Sequence, residues 1–112
     1  MILTYKNPDG TEARVRLKTI SHAAAITIGR DKSADIALDD AQASRINCAI
    51  RYWDDIFVIR DMGSSNGTII NGQKIEVAKL SPGDVIKVGN TEITVISEKS
   101  RSDVTAVIKE RK

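Results

Sequence analysis

The sequence predicts an all-β protein, a two-sheet antiparallel β-sandwich of short strands. Two observations carry this prediction. About ten short segments alternate apolar and polar residues, as strands with one buried face do, and turn-forming residues separate them every few positions. No long helical periodicity interrupts them, and residues 39–44 offer at most a single helical turn. Short strands at this spacing, without helices between them, are typical of sandwiches and barrels.

The first two strands form a hairpin. Residues 2–6 and 12–18 alternate, and residues 7–10 (Asn-Pro-Asp-Gly) supply a tight turn, because proline presets φ and Asp-Gly accepts a left-handed backbone. In the second strand the apolar side chains face one way and the charged side chains the other, so this strand is half solvated. Two short strands follow at residues 26–28 and 35–38.

Three further hairpins complete the predicted sheets. Each joins two strands across a turn of polar or glycine-containing residues: 48–53 with 56–61 across Asp54-Asp55, 68–70 with 73–75 across Asn71-Gly72, and 85–88 with 91–96 across Gly89-Asn90. The turn at residues 81–84 (Ser-Pro-Gly-Asp) introduces the last of them. These elements account for nearly all of the alternating sequence.

Length and composition describe one globular domain with a short tail. A chain of 112 residues has the size of one ordinary domain, and its hydrophobic fraction of 41% is that of a globular protein. Only four aromatic residues are present, so the core is expected to be aliphatic, which suits strands. Since the alternation ends near Ser97, we expect a domain over residues 1–97 and a polar tail or linker over residues 98–112.

Charge and rare residue types exclude several function classes. A net charge of +2, from 17 basic and 15 acidic residues, is too balanced to indicate a nucleic-acid or membrane partner. Cys48 is expected to be buried and inert, and His22 to lie in a surface loop. No metal-ligand spacing, nucleophile–base pair or nucleotide loop is present, so no cofactor, metal or catalytic residue is predicted. No signal peptide and no run of about 18 apolar residues is visible, so we expect a soluble protein, and nothing argues for export.

Three segments join strands to polar loops and together carry phosphate-binding chemistry. Gly29-Arg30 offers a guanidinium with five fixed donors, Ser44-Arg45 a hydroxyl beside a second guanidinium, and residues 64–68 (Ser-Ser-Asn-Gly-Thr) further hydroxyls and an amide. Each segment alone also has a structural explanation: a surface arginine after a turn, a capping serine, or an Asn-Gly turn. Brought to one end of a sandwich, they match a phosphorylated side chain and its peptide.

In this order the segments resemble the forkhead-associated (FHA) domain, a module that binds phosphothreonine peptides. The resemblance covers roughly residues 2–97 and rests on these positions: Gly29-Arg30, Asp35-Ile36, Leu38-Asp39, Ser44-Arg45, Asp61, Gly63 to Thr68 and Asn71-Gly72. It implies an eleven-stranded β-sandwich whose loops at one end bind the ligand. It also implies a phosphothreonine-containing partner and a place in Ser/Thr kinase signalling in the cytoplasm, with the kinase or its substrates as partners.

The resemblance assigns roles to individual residues. It implies that four residues bind the phosphate: Arg30, Ser44, Arg45 and Ser65. It implies that Asn66 holds the backbone of the bound peptide. Five more positions would shape and brace the loops: Gly29, Asn47, Gly67, Asn71 and Gly72. The family prefers phosphothreonine to phosphoserine because the threonine methyl group fills a small pocket between the loops.

Asn47 is the one clear departure from the family pattern. FHA domains usually carry histidine at this position, where it supports the loops from beneath without touching the phosphate. Asparagine is shorter but keeps both a donor and an acceptor. We therefore expect binding to survive, with less rigid loops and a lower affinity.

Two alternative functions remain open at this point. Some domains of this fold are phosphate-independent scaffolds in assemblies such as secretion systems; Arg30, Ser44 and Asn66 argue against that alternative, and Asn47 argues slightly for it. An enzyme is the second alternative. Its candidate acids lie in predicted turns, where aspartate is common for structural reasons: Asp39, Asp40, Asp54 and Asp55.

Thr105 in the tail is a candidate regulatory phosphosite. Ile108 follows it by three positions, and the FHA family often favours an aliphatic residue there. A phosphorylated Thr105 would let the site bind its own tail or that of a neighbour, as a switch or a dimer contact. Without this modification we expect a monomer whose tail is a linker or a plain end.

Overall fold

The computed structural model of this chain describes residues 1–19 and 25–98. These residues form eleven strands in two sheets, which confirms the predicted all-β sandwich. In chain order the strands are β1 (Ile2–Lys6), β2 (Glu12–Arg16), β3 (Ile26–Gly29), β4 (Ile36–Ala37), β5 (Cys48–Trp53), β6 (Ile56–Asp61), β7 (Thr68–Ile70), β8 (Gln73–Ile75), β9 (Val77–Leu80), β10 (Val85–Val88) and β11 (Thr91–Ile96).

The strands divide between a six-stranded and a five-stranded sheet. The first has the order β2-β1-β11-β10-β7-β8, and the second has the order β4-β3-β5-β6-β9. All four predicted hairpins are present as antiparallel pairs: β1–β2, β5–β6, β7–β8 and β10–β11. Alternation and turn residues therefore predicted each local pairing correctly, because both signals act between neighbours in the chain.

The core between the sheets is aliphatic, as the composition predicted. Its largest fully buried side chains are leucine, isoleucine and valine residues from both sheets, including Ile28 and Ile59 of one and Ile86 and Ile93 of the other. Burying each such side chain stabilises the fold by roughly 1.5–3 kcal/mol before entropy is counted. The close-packed core therefore makes the sandwich rigid, and the loops extend from the ends of its strands.

One strand pair departs from the antiparallel prediction. Strands β3 and β4 run parallel, with Ile28 opposite Ile36. The Asp35 carboxylate accepts hydrogen bonds from the backbone N–H and the hydroxyl of Thr27, at 2.9 and 3.0 Å. These bonds bring the end of the connecting loop back to the start of β3. Strand β4 consequently leaves in the same direction as β3.

Three details of the prediction were wrong. Strand β9 had no predicted counterpart, because only Glu76 separates it from β8 and no glycine or proline marks the point where the chain changes sheets. Strand β2 ends at Arg16, two residues before the predicted end. Strand β4 covers only Ile36–Ala37 of the predicted residues 35–38. Residues 39–44 hold one non-helical turn, closed by a hydrogen bond from the Ala43 N–H to the Asp40 carbonyl, within the predicted limit of a single turn.

The predicted domain boundary near Ser97 stays a prediction, because residues 99–112 lie outside the described residues. Strand β11 ends at Ile96, and the Glu98 carboxylate then lies 2.5 Å from the Arg16 Nε. Within the described residues, no helix is long and apolar enough to cross a membrane.

The loops that carry the predicted site meet at one end of the sandwich. Strand β3 ends there, β5 begins there and β6 ends there, since Ile28 pairs with Cys48 and Cys48 pairs with Asp61. Gly29 closes β3 directly against the next loop. A Cβ at this position would lie 2.0 Å from the Arg45 carbonyl oxygen. Only glycine permits this approach of two backbone segments.

Gly29→Ala is therefore expected to reduce the free energy of unfolding by about 3 kcal/mol or more, because backbone atoms must move apart to admit the methyl group. Gly10→Ala is the matched control. Gly10 has a φ of +90°, and no atom lies within 4 Å of the position that a methyl group would occupy there. Only the left-handed backbone therefore opposes alanine at Gly10, at about 1–2 kcal/mol. Urea denaturation of both variants is the measurement. Equal losses would contradict the close approach at Gly29.

Candidate functional site

A groove of about 400 Å³ gathers the residues predicted to bind a phosphopeptide. Arg30, Ser44, Arg45, Ser65 and Asn66 all line it. They come from three loops that are distant in sequence, after β3, before β5 and between β6 and β7. The fold therefore brings together all five residues that were expected to contact the ligand.

Arg30 is held by the loop that precedes β5. Its backbone N–H donates to the Ser44 carbonyl at 3.0 Å, and its Nε donates to the Ala43 carbonyl at 2.8 Å. Within the described part of the chain, its terminal nitrogens make no hydrogen bond. The guanidinium is thus oriented through one edge, and the other donors remain for an anion.

Ser44 and Ser65 link two of the loops. The Ser44 Oγ accepts a hydrogen bond of 2.9 Å from the Ser65 N–H. Because the Ser44 oxygen is the acceptor there, its own hydroxyl proton remains available to an anion in the groove. The Ser65 side chain is exposed beside it. The two hydroxyls can therefore act as donors to the same ligand.

Asn66 is oriented in a similar way to Arg30. Its Nδ2 donates to the Gln42 carbonyl at 2.8 Å. This bond uses one of the two amide protons and leaves the amide oxygen and the second proton at the exposed rim. An amide that both donates and accepts matches the backbone of an extended peptide.

Arg45 is largely exposed, since 75% of its side chain is accessible. Its Nη2 lies 3.7 Å from the Asp31 Oδ1, which is a loose ion pair without a hydrogen bond. Hydrogen bonds from the Ser33 hydroxyl and N–H, together with the charges of Arg45 and Arg30, hold the pKa of Asp31 below its ordinary value. Asp31 is thus a resident anion beside the two arginines.

Asn47 is fully buried beneath the loops, with 0% exposure. Its Oδ1 accepts a hydrogen bond from the Ser44 N–H at 2.9 Å. Its Nδ2 donates to the Thr68 hydroxyl at 3.1 Å and to the Gly67 carbonyl at 3.3 Å. The side chain therefore connects the loop before β5 to the loop before β7. This is the supporting position that the sequence analysis expected, although asparagine replaces histidine.

Asp61 organises the loop between β6 and β7. Its Oδ1 accepts from the hydroxyls of Ser64 and Thr68 at 2.5 and 2.7 Å, and its Oδ2 accepts from the N–H groups of Gly63 and Ser64. Partial burial alone would raise the pKa of Asp61, but these hydrogen bonds outweigh it and lower the pKa. An ionised carboxylate thus fixes the start of the loop that presents Ser65 and Asn66.

Two of the predicted loop-bracing positions lie away from the groove. Asn71 and Gly72, with φ of +50° and +85°, form the β7–β8 turn at the opposite end of β7 from Gly67. The Asn71 side chain donates to the Asp84 carboxylate at 3.0 Å and accepts from the Val85 N–H at 2.9 Å. It braces the start of β10. Gly67, with φ of +87°, does lie in the binding loops.

Sequence reasoning missed three groups that hold the site. The carbonyls of Gln42 and Ala43 orient Asn66 and Arg30, and no side-chain pattern signals a backbone acceptor. The Asp40 carboxylate was assigned to an ordinary turn. It does accept from the Gln42 N–H at 2.9 Å, but it also bonds to the β10–β11 turn. The first contact was foreseeable from the Asp-X-X spacing, and the second was not.

The remaining chemistry-bearing residues lie outside the groove or outside the described residues. Cys48 is fully buried, as predicted, and burial raises the pKa of its thiol to about 12, which keeps the thiol protonated at neutral pH. His22 and Thr105 lie outside the described residues. A larger groove, of about 790 Å³, runs beside β1 and β11 and mixes cations such as Lys6 with anions such as Glu12. It contains none of the predicted site residues.

The sequence of this chain is similar to a known domain family and to several known proteins. The FHA domain family matches residues 26–89, more than half of the chain. The FHA domain-containing protein FhaA of Mycobacterium tuberculosis (strain ATCC 25618 / H37Rv) is 32% identical over 93 residues, which cover 83% of this chain and 17% of FhaA. The chain spans less than half of the length of the curated relatives that it matches.

Two solved structures share the fold. One, from a structural and functional study of phosphothreonine-dependent FHA domain interactions, has a TM-score of 0.72 at 29% identity and covers 87% of this chain and 95% of its own. The other is the FHA domain of FhaA in complex with the intracellular domain of Rv3910. It has a TM-score of 0.69 at 29% identity and covers 83% of this chain and 96% of its own.

Asn47→Ala should lower the free energy of unfolding by about 2–4 kcal/mol, because it removes three buried or part-buried hydrogen bonds, to the Ser44 N–H, the Gly67 carbonyl and the Thr68 hydroxyl. Asn7→Ala is the control, since it removes a side-chain amide hydrogen bond at an exposed turn. That variant is expected to lose about 1 kcal/mol. Chemical denaturation measures both. A loss at Asn47 no larger than the loss at Asn7 would argue against a buried support.

The contribution of Asp61 predicts an acid-sensitive stability. Because its pKa is lowered in the folded state, the stability from its ionised form is complete above the ordinary aspartate pKa of 3.8. It is lost as the pH falls from there through the lowered folded-state pKa. The difference in unfolding free energy between the wild type and Asp61→Asn should therefore be constant near neutrality and shrink in acid. A difference that is independent of pH would refute this role.

Proposed function

The chain belongs to the FHA domain family, and we propose that it is a phosphothreonine-peptide-binding module that mediates phosphorylation-dependent protein–protein interaction in Ser/Thr kinase signalling. One observation carries the proposal. Two guanidinium groups, two hydroxyls and an amide from three separate loops line a single groove, and internal hydrogen bonds orient several of them while leaving donors for a ligand.

In the proposed complex Arg30, Ser44, Arg45 and Ser65 bind the phosphate. A phosphate near −2 accepts several charge-assisted hydrogen bonds, each worth roughly 1.5–3 kcal/mol net. Arg30 contributes directed donors, because its Nε is already fixed on the Ala43 carbonyl. Arg45 is exposed and only loosely paired with Asp31, so it can turn to the ligand at small cost.

Asn66 is proposed to hold the peptide backbone on the far side of the phosphate. Its amide is fixed through Nδ2 on Gln42 and has an acceptor and a donor left. A contact of this kind does not depend on the side chains of the peptide. It fixes the direction of the peptide backbone, so the phosphorylated residue enters the groove in one orientation. The preference for phosphothreonine over phosphoserine is part of this proposal, through a methyl pocket between the loops.

Asn47, in place of the usual histidine, was the residue that favoured the alternative of a phosphate-independent scaffold. The buried Asn47 side chain bonds to both loops, so its presence does not require the groove to have lost its ligand. A solved relative also supports an intracellular protein partner, since the FHA domain of FhaA is bound to the intracellular domain of Rv3910. For this chain we propose a cytoplasmic, monomeric binding module with no catalytic step.

Charge and shape together predict discrimination between three forms of one peptide. A peptide selected from a degenerate phosphothreonine library should bind, its unphosphorylated form should not, and its aspartate form should bind at least tenfold more weakly, because a carboxylate has fewer acceptors and less charge. Isothermal titration calorimetry of the three forms is the measurement. Equal affinity for all three forms of the peptide would show that the groove does not recognise the phosphate group.

Arg30→Ala should abolish or weaken capture of the phosphopeptide by at least tenfold. Arg51→Ala is a matched control, because Arg51 is also an exposed arginine but lies on β5, outside the groove. The control should retain the wild-type affinity and lose none of the salt dependence. Equal effects of the two variants would show a merely non-specific attraction of the phosphopeptide to positive charge.

A further inference from the structure

We propose that Asp40 is a positioning residue for the peptide groove, one that sets the orientation of Arg30 and Asn66 without touching the ligand. The effect that we expect on ligand binding rests on the proposed function. The arrangement of Asp40, Arg30 and Asn66 rests on hydrogen bonds within the chain. Asp40 does not line the groove. It directly precedes residues 41–44, which form one wall of the groove and which we call the wall segment.

Three donors converge on the Asp40 carboxylate. The Oδ1 accepts from the Gln42 N–H at 2.9 Å, within the wall segment. The Oδ2 accepts from the Asn90 N–H at 2.8 Å and from the Thr91 hydroxyl at 2.6 Å. Asn90 lies in the β10–β11 turn and Thr91 begins β11, so the carboxylate joins the wall segment to the opposite sheet.

Gly89 makes this junction close. A Cβ at Gly89 would lie 2.7 Å from both the Ala43 backbone nitrogen and the Asp40 Oδ1. The wall segment therefore rests directly on the β10–β11 turn, with no room for a side chain between them. The core strands β10 and β11 fix the position of the turn. The close contact at Gly89 and the hydrogen bonds of the Asp40 carboxylate then fix the wall segment against this turn.

The wall segment in turn holds two ligand-binding groups through consecutive carbonyls. The Gln42 carbonyl accepts from the Asn66 Nδ2, and the Ala43 carbonyl accepts from the Arg30 Nε, each at 2.8 Å. The turn is closed by the Ala43 N–H, which donates to the Asp40 carbonyl at 3.1 Å. A rotation of this turn would displace both acceptors together, and with them the guanidinium and the amide.

A carboxylate suits this position better than its neutral isostere. The three donors require acceptors on both side-chain oxygens. Asparagine offers one oxygen, and its amide group would face either the Gln42 N–H or the donors of Asn90 and Thr91. Partial burial alone would raise the pKa of Asp40, but hydrogen bonds from Thr91, Gln42 and Asn90 outweigh it and lower the pKa. The group is thus ionised at neutral pH.

Asp40→Asn tests the proposal with a near-isosteric change. With a phosphothreonine peptide selected by the wild type, we expect the dissociation constant to rise at least tenfold, because Arg30 and Asn66 are no longer pre-oriented. Thr91→Val removes one donor from the same carboxylate and should produce a smaller effect in the same direction. It also serves as the second variant if Asp40→Asn fails to fold.

A double-mutant cycle with Asn66→Ala separates positioning from general stability. If Asp40 acts through Asn66, then Asp40→Asn should weaken phosphopeptide binding less in the Asn66→Ala background than in the wild type. Its effect on the free energy of unfolding should be the same in both backgrounds. Fully additive effects on binding would overturn the inference. Asp84→Asn, the same change at a carboxylate that braces a turn outside the groove, should leave binding unchanged.

A measurement without ligand keeps the two proposals distinguishable. In NMR spectra of the free protein, the side-chain signals of the Arg30 Nε–H and the Asn66 amide should shift and exchange faster in Asp40→Asn. Unchanged signals would reject the positioning role. If the wild type binds no phosphopeptide, the proposed function fails, and these signals still decide whether Asp40 orients the two groups.

Discussion

The binding end of this domain depends on one buried amide. Asn47 lies at the start of β5 with its side chain out of reach of water, and a buried amide must have its hydrogen bonds satisfied within the protein. Its partners are Ser44 on one loop and Gly67 and Thr68 on another, so satisfying the amide fixes the distance between these loops. The Ser44–Ser65 hydrogen bond and the shared groove are consequences of that separation.

Carboxylates act as internal supports around this amide. Asp61 and Asp40 each accept several hydrogen bonds from loop N–H groups and hydroxyls, and both remain ionised near neutrality because these bonds lower their pKa values. Acceptors therefore lie beneath and behind the loops, while the donors of Arg30, Ser44 and Asn66 remain at the groove. This division of donors and acceptors explains how a chain with a net charge of only +2 presents the donors that the proposed phosphate ligand needs.

Asp31 reduces the positive charge beside the same groove. Its carboxylate is ionised, is fixed by Ser33 and lies near Arg45, so the groove carries less positive charge than two arginines alone would give it. A ligand must compete with this anion for Arg45. For the proposed phosphopeptide ligand, this competition favours a phosphate, with its higher charge and several acceptors, over a single carboxylate.

The sequence by itself determined the four hairpins and the aliphatic core, and through family resemblance it named five residues that line one groove: Arg30, Ser44, Arg45, Ser65 and Asn66. These features rest on local alternation, turn residues and motif order, which are readable along the chain. Tertiary structure alone decided the parallel β4, the sheet change at β9 and the partners that orient each binding group. The Asp40–Thr91 hydrogen bond joins residues 51 positions apart, and the Asn71 side chain bonds to Asp84 and Val85, 13 and 14 positions away. Such contacts depend on how the sheets pack, and no local pattern specifies that packing.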